Sequence, residues 1–127
     1  MTIALREGPS VWSSVSAFAP ICQPTDCPWG IKAFTNYFGS TEAGEDHDAV
    51  CLLNKKGASI FDDILIDQGT SDQFLLEQLK PETFVQAAQK VGQKVTLNMR
   101  EGFDHSYHFI GAFIDSHIDF HAKFLKS

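Results

Sequence analysis

No apolar run in this chain of 127 residues is long enough to cross a bilayer. Basic residues are scarce: 10 Lys and Arg stand against 16 Asp and Glu, for a formal net charge of −6 and a pI near 5.2. That balance argues against nucleic acid or an anionic membrane as the main partner. There is no basic start followed by an apolar core, so no secretory leader is expected. Cysteine is sparse and odd in number. Cys22, Cys27 and Cys51 cannot form a paired framework, and they fit free thiols in a reducing compartment. Cys22 and Cys27 are spaced unlike a Cys-x-x-Cys redox pair. Internal repeats and low-complexity segments are missing, and so is any cofactor motif. A Gly-x-Ser-x-Gly nucleophile turn is missing too. Gly8-Pro9-Ser10 and Gly57-Ala58-Ser59 begin like it, but Trp12 and Phe61 stand where the final glycine belongs.

What is present is ordinary for one soluble globular domain spanning residues 1–127. The chain is 43% hydrophobic and 20% charged, with a high count of 11 Phe to build a core or to meet more protein. Met1 to Arg6 reads as the end of a helix stopped by Gly8-Pro9. Val15 to Cys22 is small and apolar, a strand with Pro20 ending its regular pairing. A turn-rich loop, Pro24 to Pro28, leads into a short helix over Trp29 to Phe38, closed by Gly39. Ser40 to Asp48 is polar and acidic, hence a surface loop. Ala49 to Lys55 is a short helix. Ile60 to Ile66 contains the run Ile64-Leu65-Ile66, as in a strand buried on both faces, with Asp67-Gln68-Gly69 ending it. Pro81 and Gly92 bracket a helix striped by Phe84, Val85, Ala88 and Val91. Lys94 to Arg100 alternates, as in a strand at a sheet edge. From Ile110 to Leu125 apolar residues recur at helical spacing.

Alternating strands and helices imply a parallel sheet with helices on its faces. Parallel sheets carry function on the loops after the C-terminal ends of the strands. Asp72 and His105 fall on two such loops. The stretch Glu101-Gly102-Phe103-Asp104-His105 is the most suggestive, because an imidazole on such a loop has a pKa near working pH and suits a general base. The plain alternative for His105 is a helix-capping turn. An acid followed by a His, each after its own strand, is the tail of the Ser–Asp–His order of α/β-hydrolases. Asp67 competes with Asp72 for the role of acid, being nearer the strand end, but a loop position gives longer reach. Asp104 suits capping of the last helix or orienting of the loop. His117 and His121, at i and i+4, have metal-pair spacing but no third ligand beside them, so a packed helix face is expected and no metal. Cys51 is expected to be a buried thiol.

Four blocks make a resemblance specific: Ser14-Val15-Ser16-Ala17-Phe18-Ala19-Pro20-Ile21-Cys22; Cys27-Pro28-Trp29-Gly30; Asp63-Ile64-Leu65-Ile66-Asp67-Gln68-Gly69 with Asp72-Gln73-Phe74-Leu75; and Glu101-Gly102-Phe103-Asp104-His105-Ser106-Tyr107. Together they resemble the C-terminal part of the S-formylglutathione hydrolase (esterase D) family. The resemblance runs through essentially the whole chain. It implies an α/β architecture: the C-terminal half of an α/β-hydrolase fold, about three parallel strands with flanking helices, the N-terminal strands and nucleophile elbow missing. It further implies a cytoplasmic serine esterase that releases formate and glutathione from S-formylglutathione in formaldehyde detoxification, without a cofactor.

By that resemblance Asp72 matches the family's triad acid and His105 its triad His. Trp29 is a candidate wall of the acyl pocket, with plain core packing as the alternative. Two departures are visible. His108 stands where a Tyr is usual, and the Ser40 to Asp48 loop matches poorly. Two readings follow. In one, the chain is the C-terminal part of a thioester hydrolase whose serine lies upstream. In the other, it is a non-catalytic half-domain, inactive alone or acting by association. In either case the first strand has a free edge, so association with a second copy or with an N-terminal half is expected.

Overall fold

A computed structural model describes residues 1–125. Eight regular elements alternate along it: α1 (Thr2–Glu7), β1 (Val15–Phe18), α2 (Pro28–Phe38), α3 (Ala49–Lys56), β2 (Ile64–Gly69), α4 (Pro81–Val91), β3 (Val95–Arg100) and α5 (Tyr107–Leu125). The three strands form one parallel sheet in the order β1-β2-β3. This is the expected α/β architecture.

The sheet has two chemically different faces because side chains alternate along a strand. On one face Val15, Ile64 and Ile66 pack with Leu5, Leu53 and Phe84 of α1, α3 and α4, and Val95 and Leu97 of β3 join them. The opposite face carries Ser16, Asp67, Asn98 and Arg100 and is covered by α5, whose His117 meets Ser16 and Asp67. Every residue of β2 is buried, as its continuous apolar run predicts. The residues of β3 are mostly half-buried, which suits its place at one margin of the sheet.

Several boundaries differ from expectation. β1 stops at Phe18 rather than Cys22, because Ala19 takes a left-handed conformation, φ 43°, and Pro20 cannot donate to a ladder. β2 begins at Ile64 and runs on through Asp67-Gln68-Gly69 to its end. Those polar residues remain in the strand because β3 pairs with them: Asp67 faces Asn98, Gln68 faces Met99 and Gly69 faces Arg100. α1 runs from Thr2 to Glu7 with no side-chain cap.

Ser40 to Asp48 is not a plain surface loop. It contains a 3-10 turn over Glu42–His47, and Gly44 is buried where a side chain would collide with the ring of Phe34. Asp48 is fully buried. It caps α3 by accepting from Cys51 N at 2.9 Å, and it also accepts from Thr25 N at 2.9 Å and Thr25 Oγ1 at 2.8 Å. A cap that also ties down a distant turn is invisible to local pattern. Between β2 and α4 a π-type turn, Leu75–Leu79, completes the connection.

Of the thiols, Cys51 differs from expectation: it is only half-buried, whereas Cys22 and Cys27 are buried. Burial, aided by Glu82 and Asp48, pushes the Cys22 thiol up to about 12, so it is an inert core group. Among the described residues no helix is long and apolar enough to cross a membrane.

Candidate active site

The loops after β2 and β3 are stitched to each other. Thr70 N donates to the carbonyl of Arg100 at 3.0 Å, and Ser71 N donates to the carbonyl of Phe103 at 3.0 Å. Gly102, at φ 78°, makes the sharp turn out of β3, and its N–H donates to Thr70 Oγ1 at 3.0 Å. These bonds set the two loops side by side before any functional side chain is considered.

Asp72 and His105 meet at that junction. His105 Nδ1 lies 2.7 Å from Asp72 Oδ2. The Asp72 side chain is fully enclosed, while that of His105 is 39% exposed. Asp72 Oδ1 accepts from Phe74 N at 2.8 Å, and Oδ2 also accepts from Gln68 Nε2 at 3.1 Å. A carboxylate bonded to Nδ1 keeps the proton there and leaves the Nε2 lone pair as the basic site. His105 borders a cleft of about 270 Å3 lined by Phe18, Ala19, Ser106, Tyr107, Phe109 and Ile110.

Asp67, the competing acid, turns to the other face of β2. It is fully buried and accepts from Asn98 Nδ2 at 2.7 Å and from Arg100 Nε at 3.0 Å. Arg100 Nη2 lies 3.0 Å away, completing a two-pronged ion pair. The guanidinium also sits over the Phe113 ring at 4.1 Å. Asp104 accepts from the hydroxyl of Ser106, a local bond at the approach to α5.

Trp29 does not border the cleft. Its ring, 45% exposed, stacks obliquely on Phe74 at 4.6 Å, and Phe74 in turn meets His105 edge-on at 5.3 Å. Phe74 therefore stands between them. His108 stacks on Phe103, ring centroids 5.9 Å apart.

His117 and His121 use their ring nitrogens on Ser14, just before β1, and Ser16 within it. Ser14 Oγ lies 2.7 Å from His121 Nδ1, Ser16 Oγ lies 2.8 Å from His121 Nε2, and Ser16 Oγ lies 2.8 Å from His117 Nδ1. The row is satisfied by donation in either direction, from Ser14 through His121 and Ser16 to His117 or the reverse. His117 Nε2 is buried without a hydrogen-bond partner, 3.8 Å from Asp67 Oδ2. His117 also stacks on Phe18 at 3.8 Å. Burial, opposed by Asp67, holds the His117 pKa below its usual value.

Gln68 reads locally as part of the end of its strand, though a polar side chain inside a fully buried strand is itself a sign of a required partner. Nothing local marks Phe74, an aromatic two residues after an acid.

A parallel α/β sheet thus brings an enclosed carboxylate and a half-exposed imidazole into contact at adjacent strand mouths. The chain belongs to the esterase family described as "Putative esterase", whose model matches residues 1–120. It is 48% identical over 127 residues to an S-formylglutathione hydrolase of Arabidopsis thaliana, covering 99% of this chain and 44% of that protein. It is 46% identical over 128 residues to the S-formylglutathione hydrolase of Rattus norvegicus, covering 98% and 45% respectively. Among solved structures, an S-formylglutathione hydrolase from Agrobacterium tumefaciens superposes with a TM-score of 0.90 at 38% identity, over 98% of this chain and 44% of that one. The chain thus spans less than half the length of the relatives it matches.

Proposed function

We propose that this chain is the acid–base portion of a serine thioesterase acting on S-formylglutathione, with Asp72 as the triad acid and His105 as the general base. The 2.7 Å contact between His105 Nδ1 and Asp72 Oδ2 carries the reading. The relatives' shared name and the burial of Asp72 support it. The nucleophilic serine and the oxyanion donors come from polypeptide outside this sequence, which corresponds to the N-terminal half of the fold.

The chemistry follows from the geometry. His105 Nε2 takes the serine proton as the oxygen attacks the formyl carbon. The tetrahedral intermediate collapses, the carbon–sulfur bond breaks, and His105 returns the proton to the glutathione sulfur. Water then attacks the formyl-enzyme, again losing its proton to His105. The carbon–oxygen bond to serine breaks, the serine regains its proton from His105, and formic acid leaves, ionising to formate with its proton going to solvent. Asp72 stays ionised throughout, fixing the tautomer and balancing the imidazolium. Trp29 acts at one remove, backing the Phe74 ring that meets His105. The same reading includes a role in formaldehyde detoxification in the cytoplasm.

β1 has only β2 as neighbour among the described residues, and Ile114 and Ile118 of α5 are exposed. Further polypeptide of the same fold would cover both. The test is an assay of the purified chain with S-formylglutathione, alone and after mixing with the N-terminal half of the rat relative. Turnover only after mixing, abolished by His105→Ala, is expected. Turnover that survives His105→Ala overturns the assignment, and silence in both arms favours the non-catalytic half-domain.

A further inference from the structure

Gln68 lies on the same face of β2 as the core residues Ile64 and Ile66, yet its side chain is an amide and is fully buried. Its Nε2 donates to the carbonyl of Gly69 at 3.1 Å and to Asp72 Oδ2 at 3.1 Å. Its Oε1 is buried without a partner. The orientation of the amide is therefore determined. The reverse would press Oε1 against two acceptors.

A buried carbonyl oxygen without a partner is a cost to stability, so an apolar side chain of this length would suit the core at least as well. The side chain that is present spends its donors at the Asp72 carboxylate instead. Asp72 Oδ1 is held by Phe74 N, and Oδ2 is shared between Gln68 and His105. Without Gln68, Phe74 N would be the one fixed anchor besides His105 itself, whose own ring can turn, and the carboxylate could rotate about its terminal torsion, which is broad and soft. The Gln68 bond removes that freedom.

We propose that Gln68 is a positioning residue for the acid–base couple: it pins Oδ2 of Asp72 in the orientation that selects the Nδ1–H tautomer of His105. The proposal rests on the reading of Asp72 and His105 as acid and base. It assigns to a buried strand residue a task that packing alone does not require.

The test reads the tautomer by 15N chemical shifts of the His105 ring at neutral pH, in the full chain and in Gln68→Met, Gln68→Leu and Asp72→Asn. Met is unbranched and close in length, and Leu supplies a second apolar shape should Met disturb folding. In the parent chain a single Nδ1–H form is expected. In Gln68→Met or Gln68→Leu that form is lost to a fast-exchanging mixture with Nε2–H, while the melting temperature is retained. A folded variant that keeps the single Nδ1–H form overturns the role of Gln68. Asp72→Asn separates the two layers. If it leaves the His105 tautomer unchanged, the acid–base couple itself is wrong; if it abolishes the tautomer and the Gln68 variants do not, only the positioning role fails.

Discussion

The carbonyl of Phe103 occupies the space that a side chain on Gly69 would need. Gly69 ends β2, and Phe103 precedes by two residues the histidine at the candidate site. The two loops approach this closely only because one of them carries no Cβ at the crossing point.

Gly69→Ala should therefore displace the Phe103 loop and break the bond from Ser71 N to the Phe103 carbonyl. The expected loss is about 1–3 kcal/mol of stability, typical of overpacking against backbone. Urea unfolding measures it. The His105 ring shifts should also move, which an equally destabilising change in a distant helix would not produce.

Arg100→Met should be costly for a different reason. It leaves the fully buried Asp67 with Asn98 as its remaining close hydrogen-bond donor. Loss of one partner from a buried ion pair costs on the order of 3 kcal/mol. Denaturant midpoints of the variant against the parent chain test this. The His105 tautomer should stay as it is, because Asp67 and Asp72 lie on separate networks.

His117 predicts a pH dependence. Burial lowers its folded pKa below the ordinary 6.5. The unfolded chain therefore takes up a proton more readily than the folded one as pH falls below 6.5. Stability from this group is fully present above 6.5 and declines on acidification until the folded pKa is passed. Asp67 on β2 opposes the shift, while His121 on α5 and Arg100 on β3 add to it. Unfolding free energies between pH 7.5 and 5 should show the decline, and His117→Gln should flatten it. A profile unchanged by the substitution would remove His117 as its source.

If the acid–base reading holds, Asp72→Asn in the complemented enzyme should lower kcat by about 10^4, since an amide favours the wrong tautomer. KM should change little. A steady-state comparison with His105→Ala, which should fall as far, checks that the two act as one unit.

Much of this architecture was legible in the chain itself. Ile64-Leu65-Ile66 could only be a strand covered on both sides. Pro81 and Gly92 bracket α4 because one lacks a donor that the first turn does not need and the other tolerates the left-handed cap, φ 73°. The positions of Asp72 and His105 beyond strand ends followed from the alternation of elements, and short-range residue preferences determine all of these.

Other features depended on contacts between distant segments. Asp67 and Asp72 are both acids near the end of one strand. Which of them reaches His105 is decided by the pleat, which sends Asp67 to the face shared with Arg100 and Asn98, and by the backbone bonds that draw the 103–105 loop over Gly69. The burial of Asp48, the serine partners of His117 and His121, and the amide of Gln68 at the carboxylate likewise arise from residues far apart in the chain. Local sequence determines which element a residue joins; only the folded sheet decides which side chain it faces, because that depends on register and on the closeness of two backbones.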